Sequence, residues 1–176
     1  MGDIMKHKYF GLVLLLTLLV VSTYGYSTQA KKDEGSIQEM KIKGIAFDQN
    51  LQTPVVLLTD KDQNSILPIW IGLCEARSIE LGLSEKVAPR PLTYDMMAAI
   101  IRTIGAKVER IVIVDLRDQV FYAQVEVSVD GKVSKIDARP SDAIALASRM
   151  GSPIFVKKAV LEKAALKDSD KEKRGL

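Results

Sequence analysis

Residues 136–155 read IDARPSDAIALASRMGSPIF, and this stretch decides how the chain on either side of it is read. Asp137 and Arg139 alternate with Ile136 and Ala138, the period of a strand leaving the core with one polar face. Pro140 ends that strand: it brings no N–H, fixes φ, and suits the first turn of a helix. Ser141 and Asp142 are also favoured at helix starts, where either can cap free backbone N–H groups. The segment from Ser141 to Met150 then turns smoothly apolar and helical. Gly151 stops it, and SPIFV follows as a short strand.

Working outward, the dipeptide Asp130–Gly131 joins QVFYAQVEVSV to KVSKIDA as a hairpin, and KVERIVIVDL precedes them as a strand. Further upstream, MKIKGIAFD reads as a strand, and TPVVLLTD and SILPIWIG form a hairpin across the polar turn KDQN. Ala76, Ile79, Leu83 and Val87 recur at helical spacing over Glu75–Lys86. The prolines of APRPL break that helix. A second helix runs from Thr93, its expected N-cap, to Ile104, with Met96, Met97, Ile100, Ile101 and Ile104 on it and Gly105 as its stop. Lys157 to Leu166 reads as a short final helix. An offset of 67 residues sets Asp48 on Asp115, Gln52 on Gln119, Ile69 on Ile136, Glu75 on Asp142 and Ala76 on Ala143. The fold expected is α+β: a single compact domain, a mixed and mainly antiparallel sheet with helices, and an internal duplication of strand, hairpin and helix.

The chain has 176 residues and a net charge of +3. Residues 1–30 run from a basic start through the apolar FGLVLLLTLLVVS to small or polar residues at Thr28 and Ala30. They read either as a cleaved signal peptide or as a retained membrane anchor. Residues 31–39 then form a linker, 40–166 the folded domain and 167–176 a charged tail. On this reading the domain is exported, to the periplasm or the medium, or is anchored facing outside the cytoplasm. The membrane is a partner only if the segment is retained. Without residues 1–30 the two signs of charge are nearly balanced, unlike the basic excess of a non-specific nucleic-acid binder. Apolar alternation on edge strands predicts a homo-oligomer. Cys74 is the sole cysteine, so no intrachain disulfide forms, and it reads as a small buried residue.

The only histidine is His7, within the leading segment. Ser-His-Asp and Cys-His chemistry are therefore excluded for the domain, and a structural zinc site has too few ligands. Catalysis would fall to carboxylates, arginines or hydroxyls, with a carboxylate-bound Mg or Mn ion as the natural route to phosphodiester cleavage. Asp137 and Arg139 share a strand face and exceed what a helix cap needs. They form either an ion pair or a phosphate site near a helix N-terminus. In LPIWIGLCEA, Trp70 reads as core or interface packing and Glu75 as a first-turn acid of its helix. In PRPLTYDMM, Arg90 sits in a rigid turn, either structural or a phosphate clamp, and Asp95 falls in the first turn.

Together LPIWIGLCEA, PRPLTYDMM and DARPSDAIALASRMGSPIFV resemble the bifunctional nuclease domain family, over about Met40 to Val156. The resemblance implies an α+β domain with DNase and RNase activity. It marks Glu75, Arg90, Asp95, Asp137, Arg139, Ser141 and Asp142 as candidate positions. On that reading Asp137 and Asp142, with Glu75, hold a divalent cation, Arg139 and Arg90 stabilise charge on the phosphate, and nucleic acid is the partner. An exported start departs from the family's usual intracellular setting and leaves the physiological substrate open. The competing readings are a non-catalytic binding or oligomerisation module of the cell envelope, and an exported domain for a small ligand or peptide.

Overall fold

The computed structural model of the chain describes residues 35–84 and 88–164. The leading segment 1–30 and the tail 167–176 lie outside them, as does Val87 of the first expected helix face. Among the described residues no helix is long and apolar enough to cross a membrane.

Seven strands form one mixed sheet: β1 (Ile37–Asp48), β2 (Thr53–Thr59), β3 (Ile66–Trp70), β4 (Lys107–Arg117), β5 (Val120–Val129), β6 (Lys132–Ala138) and β7 (Ile154–Lys157). Their spatial order is β3-β2-β1-β7-β4-β5-β6. Every neighbouring pair is antiparallel except β4 and β7. The fold is thus α+β with a mixed sheet, as the sequence predicts. Two meanders, β1-β2-β3 and β4-β5-β6, flank β7. Asp130 and Gly131 both take positive φ, 49° and 77°, in the β5–β6 turn. That is the backbone a type I′ hairpin needs.

The sheet turns a corner within β1. Ile37–Met40 pairs with β7, whereas Lys41–Asp48 pairs with β2, and the register slips between Ile42 and Gly44. An extra residue of this kind bends its strand and sharpens the local twist. Although β3 and β6 are the two edges of the sheet, Trp70 at the end of one and Arg139 just past the other line the same cavity. β1 starts at Ile37 rather than at Met40, its first four residues pairing with β7. The edges themselves discourage further pairing: Pro68 sits in the middle of β3, and Lys132 and Lys135 line β6.

The described residues also form four helices: α1 (Leu73–Leu83), α2 (Thr93–Thr103), α3 (Pro140–Met150) and α4, residues 158–164. α3 lies between α1, α2 and strands β4 and β5. Ala143, Ile144, Ala145, Leu146 and Ala147 are all buried, covering more than one face of that helix. Its alanines let neighbours approach closely. Gly82 of α1 meets α3 at Ser148 and Arg149, since a Cβ there would collide with Ser148 Oγ and Arg149 Nη1 and sit 2.8 Å from Ser148 Cβ. Gly82→Ala should cost roughly 1–3 kcal/mol by overpacking, read as a lower denaturation midpoint; an unchanged midpoint would mean α1 is free to shift.

Several local expectations are corrected. Thr93 is not the N-cap of α2; Leu92 is, and Asp95 Oδ2 reaches back to accept its N–H at 2.8 Å. Neither Ser141 nor Asp142 caps α3, whose N-cap is Arg139, because Pro140 occupies the first helical position. The face of α2 that packs inward is Tyr94, Ala98 and Ile101, so Met96, Met97, Ile100 and Ile104 form a separate exposed stripe. Cys74 is exposed, because it lies across the helix from the buried Ala76. The order of three strands and a helix occurs twice, but α2 has no counterpart after α3, where β7 follows. Element order alone does not establish a duplication.

Candidate active site at the convergence of two helix starts

β3 runs through Ile71 and Gly72 into α1, and β6 runs through Arg139 into α3. The ion pair between Arg139 and Glu75 spans these two junctions, which lie side by side. Between them lies an open cavity of about 470 Å³. Its walls include Ile69, Trp70 and Ile71 from the first meander, Val120 and Phe121 from the second, and Arg139 at the start of α3. Trp70 is 39% exposed, and its indole N–H donates to Asp48 Oδ2 at 2.9 Å.

Arg139 joins the two helix starts. Its Nε donates to Asp142 Oδ2 at 2.6 Å, and its Nη2 donates to Asp142 Oδ1 at 2.9 Å and to Glu75 Oε1 at 3.0 Å. Glu75 and Asp142 occupy the same third position of their helices, so the residues paired by the 67-residue offset meet on one guanidinium. Gly72 leaves room for this, since a Cβ there would strike Glu75 Oε2. The Tyr94 hydroxyl, from α2, donates to Asp142 Oδ1. Burial works against ionisation of Asp142, but hydrogen bonds from Arg139 and Tyr94 outweigh it and hold the carboxyl below its ordinary value. Burial, then the bond to Asp142, pushes the Tyr94 phenol up, so it stays protonated. The bond to Asp142, then the charge of Asp142 and the bond to Glu75, raises the already basic Arg139. The side chain of Arg139 is nonetheless 68% exposed, against 16% for Glu75. Among the described residues, Nη1 of Arg139 and Oε2 of Glu75 take part in no hydrogen bond.

This donor set does not fit a divalent cation. Both oxygens of Asp142 already accept from cationic or hydroxyl donors, and the guanidinium sits between the two carboxylates, where an ion would have to lie. Among the described residues no group of three or more His, Cys, Asp or Glu side chains is placed to hold a metal.

Residues 56–169, well over half of the chain, match the family model described as the bifunctional nuclease domain. The chain belongs to the bifunctional nuclease domain family. The sequences it resembles include the uncharacterized protein Rv1829 of Mycobacterium tuberculosis H37Rv, and the uncharacterized protein MT1877 of strain CDC 1551. Each is 39% identical over 137 residues, spanning 76% of this chain and 82% of the relative.

Within this bifunctional nuclease domain the candidate positions divide. Glu75, Arg139 and Asp142 come together, and Ser141 is buried beside them on the cavity wall. Asp137 does not join them. It pairs with Gln124, on the face of β6 opposite to that of Ile136 and Ala138, and its charge acts on Arg117. Arg90 is exposed in the segment before α2. Asp95 belongs to a second cluster. Its Oδ1 accepts from Arg149 Nε at 2.6 Å, while Arg149 Nη1 donates to the Ser78 carbonyl, tying α1, α2 and α3 together. Tyr94 and Arg149 escaped the sequence reading. Tyr94 could have been found from the Tyr94–Ala98–Ile101 spacing of α2; nothing local distinguishes Arg149.

The Leu92 N–H first, and Arg149 second, hold the Asp95 carboxyl below its ordinary 3.8. The unfolded chain therefore takes up this proton before the folded one does. The stability Asp95 contributes is present above the unfolded value and is lost as pH falls through the folded one. Between about pH 6 and about pH 2, the thermal midpoint of Asp95→Asn should fall less steeply than that of the wild type. Parallel slopes would remove Asp95 from the acid response.

Proposed function

We propose that the chain cleaves phosphodiester bonds of DNA or RNA at the mouth of the cavity, with Arg139 as the phosphate-binding group. One observation carries this reading beyond family membership: a guanidinium clamped through Nε and Nη2 belongs to a side chain that is still 68% exposed. Such an arginine is oriented before the substrate arrives, so it loses little freedom on binding an anion and is placed to stabilise charge that develops on it. Glu75, whose Oε2 is uncommitted, is the general base. It takes the proton of the attacking water as the water oxygen bonds to phosphorus, and the ester oxygen leaves with the electron pair of the broken P–O bond and a proton from solvent. Asp142 and Tyr94 are positioning residues that fix Arg139. The metal-assisted route expected from the sequence finds no donor set in this cluster, and no step is assigned to an ion. The apolar run FGLVLLLTLLVVS supports export of the domain, or its anchoring outside the cytoplasm.

The test is cleavage of labelled single- and double-stranded DNA and RNA by the purified chain, beside Glu75→Gln. Cleavage that disappears in Glu75→Gln supports the assignment, and cleavage at the wild-type rate would discard Glu75 as the base. A second reading, a module that self-associates without cutting, draws on the exposed Met96, Met97, Ile100 and Ile104 stripe of α2. A monomer in sedimentation that cleaves nucleic acid would dispose of it.

A further inference from the structure

We infer that the cavity beside Arg139 is a subsite for one unpaired nucleobase, so that the chain acts on single-stranded nucleic acid. This inference rests on the nuclease reading above and deepens it. A phosphate needs only the exposed guanidinium of Arg139. The space behind the rim answers to another ligand. Ile69, Ile71 and Val120 make it apolar, Trp70 and Phe121 supply aromatic rings, and Thr53 and Gln119 bring polar groups to its walls. That mixture, largely apolar with a few polar groups, is what a small planar heterocycle takes. A volume of about 470 Å³ falls within the range of small-ligand pockets and holds a base with its ribose.

Three further points favour a base. The Trp70 indole N–H is held by Asp48, so the ring is restrained before any ligand arrives. A base inside a duplex has both faces stacked and cannot present one to a pocket unless it is flipped out, whereas an unpaired base can. The domain also lacks the basic excess that gives counterion-release binders their affinity, so stacking must supply a larger share. Arg139 Nη1 at the rim would then take the phosphate next to the bound base.

The probes are a short labelled oligothymidylate, its duplex with oligoadenylate, and an abasic strand of the same length, each titrated against the full chain. Trp70 is the only tryptophan, so quenching of its emission reports binding at the cavity itself. The base-bearing single strand should bind roughly tenfold more tightly than the abasic strand or the duplex, and should quench Trp70 saturably. Trp70→Leu should erase that preference while leaving abasic binding as it was. Val120→Asn, a neutral polar change at an exposed cavity wall, should do the same if Trp70→Leu does not fold. Equal binding of the base-bearing and abasic strands, with cleavage intact, would overturn the subsite and leave the nuclease reading standing. Failure of all three probes to bind, together with absence of cleavage, would overturn both.

Discussion

Arg139→Gln is expected to slow nucleic-acid cleavage by roughly a hundred- to a thousandfold, the cost of removing one preorganised charge-stabilising group from a reacting centre. Glutamine keeps a donor near Asp142 but has neither the charge nor the fork that meets Asp142 through two nitrogens and Glu75 through one of them. Stability should change much less. The guanidinium is largely exposed, and solvent-screened ion pairs contribute about 0–1 kcal/mol each. Loss of rate with an almost unmoved thermal midpoint is therefore the signature of a functional arginine here. Arg139→Lys should rescue little, because one ammonium cannot hold both carboxylates and still present a free donor to a phosphate. The kinetics of the two variants, measured beside their melting curves, check this. A large loss of stability with normal cleavage by the folded fraction would make Arg139 a structural tie.

Arg149→Met should show the opposite pattern. This arginine is 10% exposed, bonded to Asp95 and to the Ser78 carbonyl, and donates at the place where three helices meet. Methionine keeps much of the stem volume but leaves the carboxylate without its cation and the carbonyl without its donor. Removing one partner of a buried pair costs about 3–5 kcal/mol, and the partial exposure of Asp95 puts the expected loss near 3 kcal/mol. For a domain of this size that is a fall of roughly 10 °C in thermal midpoint. Asp95→Asn combined with Arg149→Met should cost less than the sum of the two single changes, since each removes the same contact. Additive losses would show that the pair is not coupled. Cleavage by the folded fraction should persist, because neither residue reaches the cavity.

The two clusters also show what the sequence could and could not reveal. Periodicity and turn chemistry located the strands and helices, because these are local: Asp130–Gly131 forces its hairpin, and Pro140 fixes where α3 begins. The 67-residue offset between Glu75 and Asp142 went further, since both residues lie at the same point of their helices and share one arginine. What stayed hidden depends on how elements meet. The slip between Ile42 and Gly44 leaves no pattern of its own, and nothing local shows that β3 and β6, the two edges of the sheet, end beside one cavity. Tyr94 joined the site only because α2 packs on α3 through the stripe it belongs to. The five apolar residues read as one face of α2 divided, Ile101 turning inward and Met96, Met97, Ile100 and Ile104 outward. Asp137 and Arg139 read as neighbours on one strand face. The strand ends at Ala138, so Arg139 leaves the alternation and reaches the helix starts while Asp137 stays behind on β6.

The role proposed for Arg139, held by Glu75 and Asp142 at the cavity mouth, is to engage the scissile phosphate. Its most direct test is the rate at which the purified chain and Arg139→Gln cleave the same single-stranded substrate, with and without a chelator. Cleavage by the wild type that continues in chelator and collapses in Arg139→Gln is the predicted result. Cleavage that stops with chelator and is untouched by Arg139→Gln would place the chemistry on a metal elsewhere and contradict it.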